Sequence, residues 1–382
     1  MREIGPQKEG TTLMAQKNSL DVLARNNFAR QDNGGPAYRR EAHSGASTRT
    51  MIGRDSRMAP ARDSQRPTMN MGAGAAAAVA AVAAREDPNI SVRTAPVIAY
   101  HRKELESSTG YGSIRDDTFI LLEEIAQNKF VRQESLRSIS AELSNRLNVT
   151  RPALIVSLIN ALAPVDEYLQ RHCVNVSLLN GLIGKWMGRD GTDVDNLLLI
   201  GLMHDCGKAL IPPRVLGAPR KLNLVEFEVI KMHPINSYDL LAEFPEPLRL
   251  ATRYHHEKMN GRGYPDGLSS EQIPLDARIT AISDVYDAMI SQRSYKFPSS
   301  PFRTMATLNK LRDTDLDAQI VDVFNSNMPN ELLDKAVTMS DGSVGIVRSI
   351  DPDDLEYPFV EISGTTKKSD SNLFCTSMYL HE

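Results

Sequence analysis

Five of the eight histidines in this 382-residue chain fall between residues 172 and 256, in segments that otherwise read as the buried faces of helices. No other feature constrains the fold as much. An imidazole or carboxylate withdrawn from water is costly unless it is paired or bound to a cation, so the fold must give these groups partners. The sharpest instance is HDCGK at 204–208, directly after the apolar run Leu197–Met203. It sets His204 beside Asp205, with Gly207 read as ending the helix and Lys208 projecting towards the same place. His172 lies on a preceding helix expected over Val165–Met187, and His233–Pro234 interrupts another, where the proline permits a kink. HHEKMNGRGYPDGL (255–268) puts His255 and His256 at a helix end, ahead of a loop in which Gly261, Gly263, Pro265 and Gly267 allow tight turns and close backbone approach. Asp284 sits inside the apolar helix ITAISDVYDAM (279–289). Any one of these alone reads as a satisfied core residue or a polar helix terminus. Together they point to a metal site, because histidine is the commonest metal-ligating side chain. His43, His101 and His381 lie outside the cluster and read as solvated.

The surrounding periodicity is helical. Leu136, Ile139, Leu143 and Leu147 recur at helical spacing; Leu154, Ile155, Leu158, Ile159 and Leu162 repeat it, with Pro152 and Pro164 as start and stop signals. Ser300–Pro301 reads as an N-cap followed by a first-turn proline. The helical pattern runs to about Ser326. After about Leu333 the period changes. AVTMSDGSVGIV (336–347) reads as strand, turn, strand about Asp341–Gly342, and PFVEIS (358–363) and NLFCTSMYL (372–380) read as further strands. The first 70 residues hold only eight of Ile, Leu, Val, Phe, Tyr and Trp, too few to bury a core, and GAGAAAAVAAVAA (72–84) is a spacer or a short helix. The expected fold class is mainly α with a small β-rich C-terminal tail. The expected division is a disordered basic arm over 1–99, a helical N-terminal region over 100–157, the histidine-bearing domain over 158–333 and the β tail over 334–382.

Charge and composition exclude some functions. The net charge is −4, but residues 1–69 carry 12 Lys/Arg against 7 Asp/Glu, a net of +5, leaving −9 on the remainder. A basic arm can touch nucleic acid or an anionic membrane surface, yet no dense basic cluster is present and a solvated tail is the preferred reading. No nucleic-acid polymer is expected as a partner. No apolar run reaches the ~18–20 residues of a membrane helix, and MREIGPQKEG lacks the apolar core of a signal peptide, so an integral membrane segment is excluded and a cytoplasmic location is expected. Three cysteines make no disulfide framework; Cys173 and Cys206 read as small buried thiols.

The order of motifs resembles the HD-GYP domain, the branch of the HD metal-dependent phosphohydrolases that degrades cyclic di-GMP. The matching elements are RHCVNV (171–176), LMHDCGKALIP (202–212), KMHPINSYDLL (231–241), YHHEKMNGRGYPDGL (254–268), RITAISDVYDAM (278–289) and SQRSYK (291–296), covering roughly Leu158 to Ser326. The resemblance implies an HD-superfamily helical bundle with a GYP loop. It implies metal ligation by His172, His204, Asp205, His233, His255, His256 and Asp284, with Asp205 bridging two ions. Mixed N/O ligation suits Fe or Mn first, with Ni, Co or Zn as the other fits. Some members add a glutamate one turn before the first histidine, supporting a third metal. Here that position is Tyr168, and Glu167 is offset from His172 by about 140° around a helix, so a dinuclear centre is expected.

The implied activity is hydrolysis of cyclic di-GMP to linear pGpG, with further cutting to GMP left open. The two ions would lower the pKa of a shared water for in-line attack on phosphorus. Asp205 and Lys208 are the catalytic candidates, Lys208 stabilising developing charge or giving a proton to the leaving O3′. Arg293 and Lys296 resemble the basic pair that contacts phosphate or guanine, and Gly263, Tyr264 and Pro265 form the GYP turn that packs on the loop or touches substrate. Asp287, one turn after Asp284, either orients a ligand or is an ordinary surface aspartate. Two other functions stand beside this one: a catalytically weak nucleotide-sensing or scaffold module, and a phosphohydrolase for another cyclic dinucleotide or (p)ppGpp. Expected partners are cyclic di-GMP and signalling proteins such as a GGDEF-type diguanylate cyclase, with a homodimer as the oligomer considered. Residues 100–157 read as packing for the domain, a regulatory cap or a dimer surface.

Overall fold

Apolar positions repeating every three to four residues build the bundle from the first of the described residues. The computed structural model describes residues 106–160, 168–216, 218, 220, 222–291 and 298–379. The expected basic arm, the alanine-rich segment, Leu162, Pro164, Arg293 and Lys296 lie outside these residues. Helix α1 (Tyr111–Asn128) buries Tyr111, Ile114, Leu121, Leu122 and Ile125; α2 (Gln133–Val149) buries Leu136, Ile139, Leu143 and Leu147; α3 is Pro152–Ile159. Each fully buried leucine or isoleucine contributes about 1.5–3 kcal/mol.

Helix α4 (Tyr168–Trp186) is buried around its whole circumference from Arg171 to Gly184. A helix buried on all sides forms the axis of a bundle. Two of its polar residues donate to the next helix: Ser177 Oγ to the Leu198 carbonyl (2.6 Å) and Asn180 Nδ2 to that of Leu197 (3.1 Å). Both carbonyls belong to α5 (Gly191–Met203), capped by Asp190, which accepts from the Asp193 amide. Gly201 permits the close crossing, since a Cβ there would lie 2.5 Å from the Ser177 Cα.

After a 3-10 turn over Cys206–Leu210 come α6 (Pro213–Leu216), α7 (Leu224–Ile230), α8 (His233–Leu240) and α9 (Glu246–Tyr254). Asn223 and Glu226 make a reciprocal capping box on α7. Pro234 does not kink a helix, as the sequence suggested. It sits in the first turn of α8, where a missing N–H costs nothing. Helix α10 (Leu275–Ile290) crosses back beside α4. The expected Ser300 cap opens α11 (Pro301–Leu311), and α12 (Ala318–Leu332) runs past Ser326, tolerating Pro329 near its end.

The tail is a five-stranded antiparallel sheet: β1 (Ala336–Met339), β2 (Val344–Asp351), β3 (Asp354–Ile362), β4 (Thr365–Lys368) and β5 (Cys375–Tyr379), in the order β4-β3-β2-β1-β5. The Asp341–Gly342 hairpin joins β1 to β2, with Gly342 in the left-handed region (φ 81°) that suits glycine. Val337, Val347 and Val360 extend the helical core. The sequence reading missed β4, whose four residues TTKK are all exposed and carry no apolar alternation. Among the described residues no helix is long and apolar enough to cross a membrane.

Candidate metal centre

Helix α5 ends at Met203, and Asp205 (φ −103°, ψ 4°) turns the chain into the 3-10 segment. The sequence reading gave the helix stop to Gly207, but that glycine serves a different need. A Cβ there would strike the backbone of His233 and Ser237 at the start of α8, so glycine is what lets the two segments touch. Ser237 Oγ seals the junction, accepting from the Gly207 amide (2.9 Å) and donating to the His204 carbonyl (2.8 Å). The turn delivers His204 and Asp205 side by side to the bundle interior, 0% and 1% exposed.

The ligating atoms gather into two groups. His172, His204 and Asp284 form one, and Asp205, His233, His255 and His256 the other; within each, the candidate ligand atoms lie within 4.8 Å of one another. Asp205 faces both. Its Oδ2 is 3.3 Å from His172 Nε2 and 3.5 Å from His204 Nε2, while its Oδ1 is 3.0 Å from His233 Nε2 and 3.9 Å from His255 Nε2. Asp284 spans the first group and its neighbour, with Oδ1 3.2 Å from His172 Nε2 and Oδ2 3.6 Å from His256 Nδ1.

Backbone geometry orients the rings. His204, His233 and His255 each place Nδ1 2.7 Å from the carbonyl three residues earlier, those of Gly201, Ile230 and Thr252. A carbonyl only accepts, so Nδ1 carries the proton and Nε2 presents a lone pair to the site. His172 Nδ1 donates to Asp287 Oδ2 (2.7 Å), and Asn175 Nδ2 donates to Asp287 Oδ1 (2.7 Å). Asp287 is fully buried, so it is the orienting residue rather than a surface aspartate.

These contacts test whether a cation fits. His233 Nε2 and His255 Nε2 face each other at 3.4 Å, both as acceptors, beside Asp205 Oδ1. Among the described residues that oxygen accepts no hydrogen bond despite its burial. Lone pairs converging on one point inside a protein are what a metal ion satisfies. Electrostatics agrees. Burial pushes His204 down to about 4 and His256 to about 3, and takes His255 well below its ordinary value. Burial would raise Asp205 and Asp284, but Lys208 and His204 hold Asp205 well below the carboxylate range, and His172 and His256 do the same for Asp284. For His172, burial is outweighed by Tyr168, Asp205, Asp284 and Asp287, which raise it well above its usual value. These carboxylates favour a proton on His172, which a bound metal would displace. Nitrogen and oxygen ligands of this kind suit Fe, Mn, Co, Ni or Zn. Cys173 and Cys206 are fully buried outside both groups, and burial pushes the Cys206 thiol up to about 12.

Lys208 rests its ammonium on Asp205 Oδ2 and is 17% exposed. Asp205 holds it above its usual range against the effect of burial. Tyr168 stacks on the His172 ring (centroids 5.3 Å apart, planes 16°). Tyr264 lies against His256 (4.7 Å). Sequence reasoning passed over Glu257, which is 3% exposed and whose Oε1 accepts from the amides of Asp266 (2.7 Å) and Gly267 (2.9 Å), tethering the GYP loop. Its only signal was a carboxylate directly beside the paired histidines. Lys258 and Asn260 tie the other side of the loop to Asp315 (2.6 and 2.9 Å). A Cβ at Gly263 would land on the backbone of His256, Glu257 and Lys258. Gly263→Ala is therefore expected to lift the loop off its seat, raising KM about 10-fold or more while metal content, read by elemental analysis, stays at the wild-type level.

Residues 157–320 match the model of the HD domain family. This segment is an HD domain. Over 206 residues the chain is 33% identical to the cyclic di-GMP phosphodiesterase response regulator RpfG of Xanthomonas campestris pv. campestris, covering 53% of each chain. It is 31% identical over 208 residues to a cyclic di-GMP phosphodiesterase of Thermotoga maritima, again covering 53% of each. A 3′3′-cGAMP-specific phosphodiesterase 2 of Vibrio cholerae is 32% identical over 156 residues, 40% of this chain and 30% of that protein. The chain spans about half the length of the first two relatives. The HD-GYP resemblance read from the motifs is borne out.

Proposed function

We propose that this chain hydrolyses cyclic di-GMP to linear pGpG. The observation that carries the reading is the Asp205 carboxylate, which turns one oxygen to each of two His/Asp groups and holds the Lys208 ammonium against itself. Two divalent ions, Fe or Mn first, held by His172, His204 and Asp284 on one side and by His233, His255 and His256 on the other with Asp205 shared, would supply Lewis acidity and a water of lowered pKa. The chain's own residues do the rest. The backbone carbonyls of Gly201, Ile230 and Thr252 keep three imidazoles in the ligating tautomer. Lys208 places a positive charge next to the shared carboxylate, where it can meet the charge growing on the leaving O3′. The tethered loop carries Tyr264 against His256, at the edge of the site, to border one guanine nucleotide. Arg293 and Lys296 are assigned phosphate or guanine contacts on the resemblance alone. Tyr168 stacked on His172, in place of a third-metal glutamate, supports a dinuclear centre that releases pGpG rather than cutting it on to GMP.

The relative specific for 3′3′-cGAMP supports a second reading, in which that dinucleotide is the substrate. Protein purified without oxygen and loaded with Fe or Mn would be given cyclic di-GMP, 3′3′-cGAMP and cyclic di-AMP, with products separated by chromatography. The expected result is fastest loss of cyclic di-GMP with pGpG accumulating. Faster turnover of 3′3′-cGAMP would transfer the assignment. Tight binding without hydrolysis would make the chain a nucleotide sensor. No turnover at all, with Asp205→Ala behaving identically, would sink the enzyme reading.

A further inference from the structure

A buried chain of hydrogen bonds runs from the helix ahead of the HD domain to His172. The Tyr111 hydroxyl, on α1, donates to Asn175 Oδ1 (2.6 Å) on α4. Asn175 Nδ2 donates to Asp287 Oδ1 (2.7 Å), and Asp287 Oδ2 accepts from His172 Nδ1 (2.7 Å). Relative exposure is 2% for Tyr111, 2% for Asn175, 0% for Asp287 and 1% for His172, so water does not compete for these bonds. The direction of the chain is forced. A carboxylate cannot donate, so Asn175 must turn its amino group to Asp287 and its carbonyl to Tyr111, and the phenol must be the donor. Burial keeps that phenol protonated, pushing it up to about 12. Tyr111 is itself held in place: Arg171, the neighbour of His172, lies over its ring (5.1 Å) and pairs with Glu106 (2.6 Å). Glu106 and Tyr111 both precede residue 157, where the HD family match begins.

We propose that Tyr111 is a positioning residue for the metal centre, fixing the His172 ring through Asn175 and Asp287, so that the helix upstream of the HD domain sets how tightly His172, His204 and Asp284 hold their ion. The proposal rests on the metal-centre reading but not on the identity of the substrate. A displacement of α1 would reach His172 through three short bonds, and the group on the far side of Asp205 only indirectly, through Asp205 and Asp284. The α1 segment thereby becomes a place where a regulatory input can act on one of the two ions.

The test is a Co²⁺ titration of the metal-free 382-residue chain, followed by visible absorption, on wild type, Tyr111→Phe and Tyr286→Phe. Tyr286 is a matched control: it is fully buried and donates to the side-chain carbonyl of Asn160 (3.2 Å), the same bond type, but that chain does not lead to a ligand. Tyr111→Phe is expected to weaken one binding phase about 10-fold, the low end for an outer hydrogen-bonding partner, and to leave the other phase unchanged. Tyr286→Phe is expected to leave both phases alone. On an Asp287→Asn background, where the chain is already cut, Tyr111→Phe is expected to add nothing. Wild-type titration of Tyr111→Phe, equal weakening by Tyr286→Phe, or full additivity with Asp287→Asn would each overturn the proposal. The titration uses no nucleotide, so it stands or falls separately from the hydrolysis assay.

Discussion

Asp205→Asn is expected to remove both ions from the protein and to lower kcat for cyclic di-GMP by about 10³-fold or more. The substitution keeps the shape of the side chain and removes only its charge, so the fold is expected to stand. What it cannot keep is the two-sided acceptor. Asp205 turns Oδ2 to His172 and His204 and Oδ1 to His233, and an asparagine must offer an amino group to one of those sides. On that side a donor then occupies the position where a cation would need a lone pair. Elemental analysis is expected to fall from two ions per chain to nearly none. A variant that retained both ions and a tenth or more of wild-type activity would show that Asp205 is not the shared ligand.

Lys208→Met is expected to behave differently. The methionine fills most of the same volume without the ammonium, so kcat is expected to drop about 10²-fold with little change in KM and with both ions retained. Metal affinity is expected to be equal or slightly tighter, because Lys208 occupies Asp205 Oδ2 when no ion is bound and competes with the ion for it. Steady-state kinetics on protein of measured metal content separates this outcome from the Asp205 variant. A kcat within twofold of wild type would remove Lys208 from the chemistry and leave it as a surface partner of the carboxylate.

Legibility in the sequence differs from residue to residue across this site. The seven candidate ligands were legible because histidine and aspartate set into apolar helices are costly unless a partner or a cation satisfies them, and the structure does bring them together. Their supports were harder to see. Asp287 stood one turn from Asp284, which left it as either a helper or a surface residue; only its position against His172, 115 positions earlier in the chain, decides the matter. Tyr111 was passed over, since nothing local reveals that its hydroxyl meets Asn175, 64 positions away. Gly207 was assigned the conformational role glycines play at helix ends, because close approach to another segment leaves no local trace. In the tail, the hairpin announced itself through Asp341–Gly342, whereas β4 could not, since pairing with β3 is a property of its backbone and not of its exposed threonines and lysines.

The placement of the ligands along the chain also has a consequence for the order of events in synthesis. His172 on α4 and Asp284 on α10 belong to the same group, with the other ligands spread between them. A nascent chain therefore has no complete site until α10 has left the ribosome, in contrast to a ligand set drawn from one short loop. A complete ligand set needs α4 and α10 together, so capture of the ions is coupled to assembly of the whole bundle between them.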